Sequence, residues 1–273
     1  MNLKLINSHI VFLLIIVAGI GCNDKQKTKL FTKLSAAESG IAFSNDIHDN
    51  DSTYSFINEF GYMGGGAGIG DFNNDGLQDI FFTGNQVSCR LYINLGNNKF
   101  EDITEKAGVQ TNEWCTGVSV ADINNDGYDD IYVSIFGRDL RTRSKNLLFI
   151  NQHDLSFKEE AAAYGLADSG YSTQAVFLDY DRDGDLDMYL TNYLLSTKNG
   201  NAVFPRDRSG RSPANDRLYR NDGDSAKQGH PVFTDVSLEA GIKEDGYGLG
   251  VSVSDYNNDG WPDIYVANDF ITN

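Results

Sequence analysis

The sequence predicts an all-β fold, a β-propeller of four-stranded blades whose turns carry acidic loops, and three observations lead there. An acidic motif of nine residues occurs four times. Each copy is bracketed by short alternating or β-branched segments. The chain is also rich in aromatic residues and glycine, with 14 Tyr, 16 Phe and 28 Gly in 273 residues. Short strands joined by tight turns use that composition, and long helices do not.

The N-terminal segment stands apart from the repeats. After Lys4 comes an apolar run from Ile10 to Ala18, shorter than the roughly 20 residues that span a bilayer as a helix. It suits the core of a secretory signal. Gly19-Ile-Gly-Cys22 resembles the lipobox of bacterial lipoproteins, with Gly19 where that pattern usually has Leu. The resemblance implies that residues 1–21 are a removable signal and that Cys22 is lipidated as the mature N-terminus. A plain signal peptide cleaved nearby is the alternative. Residues 22–29 read as a polar tether, and residues 30–273 as the propeller repeats.

The motif reads Asp71-Phe-Asn-Asn-Asp-Gly-Leu-Gln-Asp79, Asp122-Ile-Asn-Asn-Asp-Gly-Tyr-Asp-Asp130, Asp179-Tyr-Asp-Arg-Asp-Gly-Asp-Leu-Asp187 and Asp255-Tyr-Asn-Asn-Asp-Gly-Trp-Pro-Asp263. Successive copies start 51, 57 and 76 residues apart. An alternating strand precedes the motif, most clearly at Val118–Ala121 and Val251–Ser254. A β-prone segment follows it: Ile80-Phe-Phe, Ile131-Tyr-Val, Met188-Tyr-Leu, Ile264-Tyr-Val. A third strand comes as Leu91-Tyr-Ile-Asn94, Leu148-Phe-Ile-Asn151 and Leu218-Tyr-Arg-Asn221. Then a Phe opens an edge segment ending in a Gly turn, at Phe100–Val109, Phe157–Leu166 and Phe233–Ile242, with a degenerate copy at Phe31–Ile41. A lone four-stranded sheet of this kind cannot bury both faces, so the units must stack, and this period is that of propeller blades. A right-handed β-solenoid is the alternative, with much shorter rungs. The fourth unit reaches only its second strand before Asn273. The expectation is a partial ring of about four blades, part of a longer protein, rather than a four-bladed ring closed by another pairing.

Positions 1, 3, 5 and 9 of each motif hold Asp or Asn, three or four carboxylates per copy. Packed within a few ångströms, such charges repel unless a cation joins them. Oxygen-only ligands select calcium over zinc or copper, and magnesium demands a stricter octahedron. Gly76, Gly127, Gly184 and Gly260 allow the sharp turn that folds the ligands inward. The first half matches an EF-hand loop. The twelfth position, however, holds Phe82, Val133, Leu190 or Val266, where an EF-hand needs a bidentate Glu. The device is therefore strand–loop–strand. Solvated acidic turns are the plainer alternative.

These motifs, with Asp-Ile-Tyr-Val after the loop and Leu-Tyr-x-Asn beyond it, resemble the FG-GAP/VCBS repeats of integrin-α-like β-propellers. Phe-x-Asp-Val-Ser-x-x-Ala-Gly-Ile at Phe233–Ile242 resembles the bacterial lipoprotein branch related to ASPIC/UnbV proteins. The resemblance implies about four Ca²⁺ sites, with a backbone carbonyl at position 7 and four side-chain ligands each. These are Asp71, Asn73, Asp75, Asp79; Asp122, Asn124, Asp126, Asp130; Asp179, Asp181, Asp183, Asp187; and Asp255, Asn257, Asp259, Asp263. The chain departs from the family at Gly64–Gly68, where a β-branched strand is usual.

Net charge is −17, with 22 Lys and Arg against 39 Asp and Glu, which excludes a nucleic-acid partner for want of a basic footprint. No catalytic residue stands out. His48, His153 and His230 lack zinc-ligand spacing, and Gly117–Ala121 and Gly250–Ser254 sit at one repeat position, which makes their serines structural. Gly64–Gly70 lacks the Lys-Ser/Thr of a phosphate loop and reads as a tightly packed inner strand. Cys89 and Cys115 are either two small buried residues or a disulfide. The extra length before the fourth motif carries Lys198, Arg206, Arg208 and Arg211, a candidate partner contact on an insertion. The sequence thus reads as a non-enzymatic binding or adhesion scaffold for a glycan or protein ligand. It would be exported and held at the cell envelope by its lipid anchor alone. The alternatives are the propeller part of a larger secreted glycan-acting enzyme and an accessory component of an envelope assembly.

Overall fold

The computed structural model describes residues 30–49, 63–137, 144–194 and 205–270. The signal, Cys22, the tether and Lys198 lie outside these residues. Two units divide the chain, Met1–Ser35 and Ala36–Asn273, and every element below belongs to the second.

After a helical turn, α1 (Ala36–Ser39), come four antiparallel sheets. The first is β1 (Ala67–Gly70), β2 (Asp79–Phe82), β3 (Arg90–Asn94) and β4 (Phe100–Asp102). The second follows the turn α2 (Thr104–Ala107) and holds β5 (Cys115–Ala121), β6 (Asp130–Ile135), β7 (Leu147–Asn151) and β8 (Phe157–Glu159). After α3 (Ala161–Tyr164), the third holds β9 (Ser172–Leu178), β10 (Asp187–Asn192), β11 (Arg217–Asn221) and β12 (Phe233–Asp235). The fourth pairs β13 (Gly248–Ser254) with β14 (Asp263–Asn268). Within each sheet the strands lie in chain order, and the first strands of successive sheets lie side by side, β1 on β5, β5 on β9 and β9 on β13. That is the blade arrangement of a β-propeller.

The layers between blades form the core. Phe81, Leu91 and Ile93 of the first sheet pack with Val118, Ile131 and Phe149 of the second. Tyr132, Leu148 and Ile150 pack in turn with Ala175, Met188 and Leu190 of the third, and Leu178 and Tyr189 with Val251, Val253 and Ile264 of the fourth. Threonine hydroxyls stitch the same joints. Thr83 donates to Thr116 O (2.7 Å), Thr116 to Ser172 O (2.8 Å) and Thr173 to Gly248 O (2.8 Å). Ser119, in the segment that superficially matches a catalytic serine turn, donates to Ala175 O at 2.6 Å and thereby joins β5 to β9.

The glycine-rich inner strand is explained by proximity. A Cβ on Gly68 would sit 2.8 Å from Val120 Cγ2, and one on Gly70 2.7 Å from Val120 Cγ1. β1 therefore approaches β5 more closely than a side chain allows. The edge segments hold a feature that the sequence pattern did not expose: three of the four end in one helical turn closed by a left-handed glycine, Gly40, Gly108 or Gly165, with φ 86°, 74° and 79°. Each of these glycines faces the carbonyl of the Phe that opens the next sheet's outer strand. Phe100 meets Gly40, Phe157 meets Gly108 and Phe233 meets Gly165.

Alternating strand direction gives each sheet two ends. The acidic motifs join first strands to second ones at one end. The connections from second to third strands, and from each sheet to the next, emerge at the other. There Trp114, Phe136, Tyr193 and Tyr247 form a buried aromatic cluster.

Gly117 and Gly250 hold one repeat position, yet only the first is crowded: its Cβ would meet Thr173 O at 2.4 Å and Gln174 Cα at 2.9 Å, whereas nothing lies within 4 Å of Gly250's. Gly117→Ala is expected to cost about 1–3 kcal/mol in urea unfolding, and Gly250→Ala close to nothing.

Candidate metal centres

Each acidic motif is the hairpin loop between the first two strands of its sheet, and the register brings its ninth residue opposite the one before its first. The pairs are Gly70 with Asp79, Ala121 with Asp130, Leu178 with Asp187 and Ser254 with Asp263. Inside the loop, position 4 adopts the left-handed conformation at Asn74, Asn125, Arg182 and Asn258 (φ 56°, 59°, 65° and 59°). Asn tolerates that region well and Arg poorly. Position 6 is left-handed too, at Gly76, Gly127, Gly184 and Gly260 (φ 85° to 99°).

The first aspartate clasps its own loop. Asp71 accepts the N–H groups of Asp75 (3.0 Å) and Gly76 (2.7 Å). Asp122, Asp179 and Asp255 repeat this on Asp126 and Gly127, Asp183 and Gly184, and Asp259 and Gly260. Position 5 accepts the N–H of position 7, as in Asp75 from Leu77 (2.8 Å). In the first, second and fourth loops the Asn at position 3 donates its amide to the carboxylate at position 5: Asn73 to Asp75, Asn124 to Asp126 and Asn257 to Asp259, at 2.8–2.9 Å.

The ninth aspartate reaches further. Asp79 accepts the N–H of Phe72 on Oδ2 (3.0 Å) and that of Asn94, in β3, on Oδ1 (2.7 Å). Asp130 does the same with Ile123 and Asn151, and Asp187 with Tyr180 and Asn221. Asp263 accepts from Tyr256 (2.9 Å). Burial pushes Asp79 up to about 6, Asp130 to about 7 and Asp187 to about 6, against the backbone hydrogen bonds that favour their ionised forms.

The third loop differs from the rest. Asp181 replaces the Asn at position 3, so no amide faces Asp183. Asp181 Oδ1 is buried and has no hydrogen-bond partner. Ligand oxygens of Asp179, Asp181 and Asp187 lie within 4.8 Å of one another, and among the described residues this is the one acidic group so tightly gathered. Asp185, at position 7, is pushed to about 6 by burial and by Asp183 and Asp187. A set of hard oxygens with an orphaned buried acceptor fits a calcium ion.

Neighbouring loops touch. Asn74 donates to Gly127 O (2.8 Å), the Asp71 N–H donates to Asp129 (3.0 Å), and the Arg182 guanidinium lies 4.8 Å over the Trp261 ring. Two kinds of residue escaped the sequence reading. Asn94, Asn151 and Asn221 close the third strands, and each side chain accepts the N–H two residues on and donates to the loop's backbone at Gln78, Asp129 or Leu186. Their recurrence in Leu-Tyr-x-Asn was the available signal. His153, isolated in sequence, stacks on Tyr128 at 4.2 Å and places Nε2 3.0 Å from Asp126 Oδ2. The basic insertion is partly neutralised, since Arg206 (2.7 Å) and Arg208 (3.2 Å) both pair with Glu244. Arg211 is exposed.

A family model described as an FG-GAP-like repeat matches residues 71–133, from the first loop through the second strand after the second loop. Residues 71–133 thus carry an FG-GAP-like repeat. Cartilage acidic protein 1 of Mus musculus is 24% identical over 205 residues, covering 75% of this chain and 28% of that protein. The Xenopus tropicalis protein of that name is 26% identical over 211 residues, 76% of this chain and 29% of its own length. Integrin alpha pat-2 of Caenorhabditis elegans is 33% identical over 102 residues, 34% of this chain and 8% of its own. The chain thus spans under a third of the length of the cartilage acidic proteins it matches. Among the described residues no helix is long and apolar enough to cross a membrane.

Asp130→Ala would leave the buried N–H groups of Ile123 and Asn151 without acceptors, and a loss on the order of 3 kcal/mol is expected in denaturant titration. The raised pKa values set a pH trend as well. A carboxyl held above its unfolded value of 3.8 contributes stability below that value and loses it as pH rises to about 7. In chelator, the contribution of Asp79, Asp130 and Asp187 should therefore decline across that window, and Asn variants of all three should flatten the Tm–pH curve there.

Proposed function

We propose that this chain is a calcium-locked β-propeller scaffold that presents a binding or adhesion surface for a glycan or protein ligand. The reading rests above all on the gathering of Asp179, Asp181 and Asp187 around a buried oxygen that lacks a partner. The same loop architecture recurs at Asp71–Asp79, Asp122–Asp130 and Asp255–Asp263. Side chains at positions 1, 3, 5 and 9 would hold the ion, with the backbone carbonyl of position 7. The ion would supply charge neutralisation and cross-linking. The chain's own residues hold the loop in shape and tie it to the third strand, so an ion at the loop would brace the sheet and not the turn alone.

Secretion and a lipid anchor at Cys22, at the cell envelope, follow from the apolar run and the Gly19–Cys22 pattern. The role is that of a platform and not of a catalyst. Ligand contact is assigned to the insertion bearing Lys198, Arg206, Arg208 and Arg211; the Glu244 pairing leaves Arg211 more available to an anionic group than Arg206 or Arg208. Arg206→Ala, Arg208→Ala and Arg211→Ala combined should weaken capture of such a ligand while leaving Tm unchanged.

Equilibrium dialysis of the chain against calcium alone should retain about four ions, and Asp179→Ala with Asp181→Ala should remove one. Each ion at a hundredfold excess over Kd adds about 2.7 kcal/mol to the folded state, so millimolar calcium should raise Tm well above its value in chelator. The gap should widen as pH rises and the ninth-position carboxyls ionise. Superimposable melting curves with and without calcium would sink the proposal.

A further inference from the structure

We propose that Cys89 and Cys115 are a disulfide-forming pair that fastens the first blade to the second. Cys89 directly precedes β3 and Cys115 opens β5, so a bond between them joins two sheets otherwise held by packing and scattered hydrogen bonds. Both residues are fully buried, in the core shared by those sheets, and both are thiols here. Their sulfurs share one hydroxyl: Thr111 Oγ1 lies 3.3 Å from Cys89 Sγ and 3.6 Å from Cys115 Sγ. The backbone is held on both sides. The Cys89 N–H donates to Thr111 Oγ1 at 3.4 Å, and the Cys115 N–H to Gly84 O at 3.0 Å. A bond requires the two sulfurs to move past the Thr111 hydroxyl to the bonded separation of about 2.05 Å.

The two thiols also face each other, and the pair is polarised. Cys89 is lowered to about 7 chiefly by the hydrogen bond from Cys115, while that contact and burial push Cys115 well up. In the reaction, the Cys89 thiolate attacks a small disulfide oxidant, forming a mixed disulfide and releasing one thiol. Cys115 then gives up its proton and attacks Cys89 Sγ, expelling the second thiol. The protein loses two protons and two electrons, and the oxidant's S–S bond is reduced to two thiols. Because both residues are buried, exchange takes place as the chain folds or when the joint opens. The closed loop contains β3, β4 and α2, so the bond restricts the unfolded chain across an entire blade joint.

The test uses the full chain and needs no knowledge of its ligand or of calcium. Refolding in a glutathione-disulfide buffer, alkylation of remaining thiols in guanidinium, digestion and mass spectrometry should yield the Cys89 and Cys115 peptides joined. The oxidised protein should melt above the dithiothreitol-reduced one, and the double variant Cys89→Ser, Cys115→Ser should lose that dependence on reductant. Recovery of both cysteines as alkylated thiols, as glutathione adducts, or joined to Cys22 would overturn the assignment.

Discussion

The structure depends on a carboxylate buried at the foot of each of the first three acidic loops. In the three complete blades that group, Asp79, Asp130 or Asp187, accepts one N–H from its own loop and one from the third strand. Two hydrogen bonds to a charged acceptor are strong enough to hold a turn without regular pairing. Yet burial raises the energy of the ionised form, which is why these groups hold their protons toward neutral pH. The tension between those terms favours a cation: it relieves the desolvation cost while keeping both N–H partners. Loop and sheet thus both follow from one side chain placed at the start of the second strand.

Blade joints solve a different problem. Two twisted sheets can approach closely only where side chains are small, and the chain puts its smallest residues at those contacts. Gly68 and Gly70 let β1 lie against the valines of β5. At the outer edge, Gly40 and Gly165 accept the carbonyls of Phe100 and Phe233 into space a Cβ would occupy. Between inner and outer contacts sit the apolar layers, plugged at the loop end by position 2 of the motif. Phe72 meets Phe157 edge-on at 5.8 Å, and Ile123 enters the layer against the third sheet. The motif is therefore a packing element as much as an acidic turn.

Much of this was legible in the residues. Alternation and β-branching marked the strands, the motif spacing marked the blades, and the glycine run at Gly64–Gly70 marked a close approach. What stayed hidden was local or non-local beyond the reach of a pattern. Single helical turns such as Thr104–Ala107 are too short to show a period. Asn94, Asn151 and Asn221 end otherwise apolar strands and look like turn residues until their bonds to the loops are seen. His153 stands far from Asp126 in sequence and meets it only because β7 returns beside β6. Asp and Asn at position 3 look interchangeable as oxygen donors. Only the fold shows that the Asn amide donates to position 5 and that Asp181, lacking an amide, leaves an oxygen unpaired.

The opposite ends of each sheet answer to separate constraints. At one rim, each loop is bound by its own clasp and its neighbour, and in the three complete blades by the third strand too, so a changed residue disturbs several contacts together. At the other, Trp114, Phe136, Tyr193 and Tyr247 close the aromatic cluster, and the long connection between β10 and β11 begins and ends away from those loops. Length can be added there and the acidic rim does not register it. The architecture thus separates the part that must keep its shape from the part free to acquire a new surface.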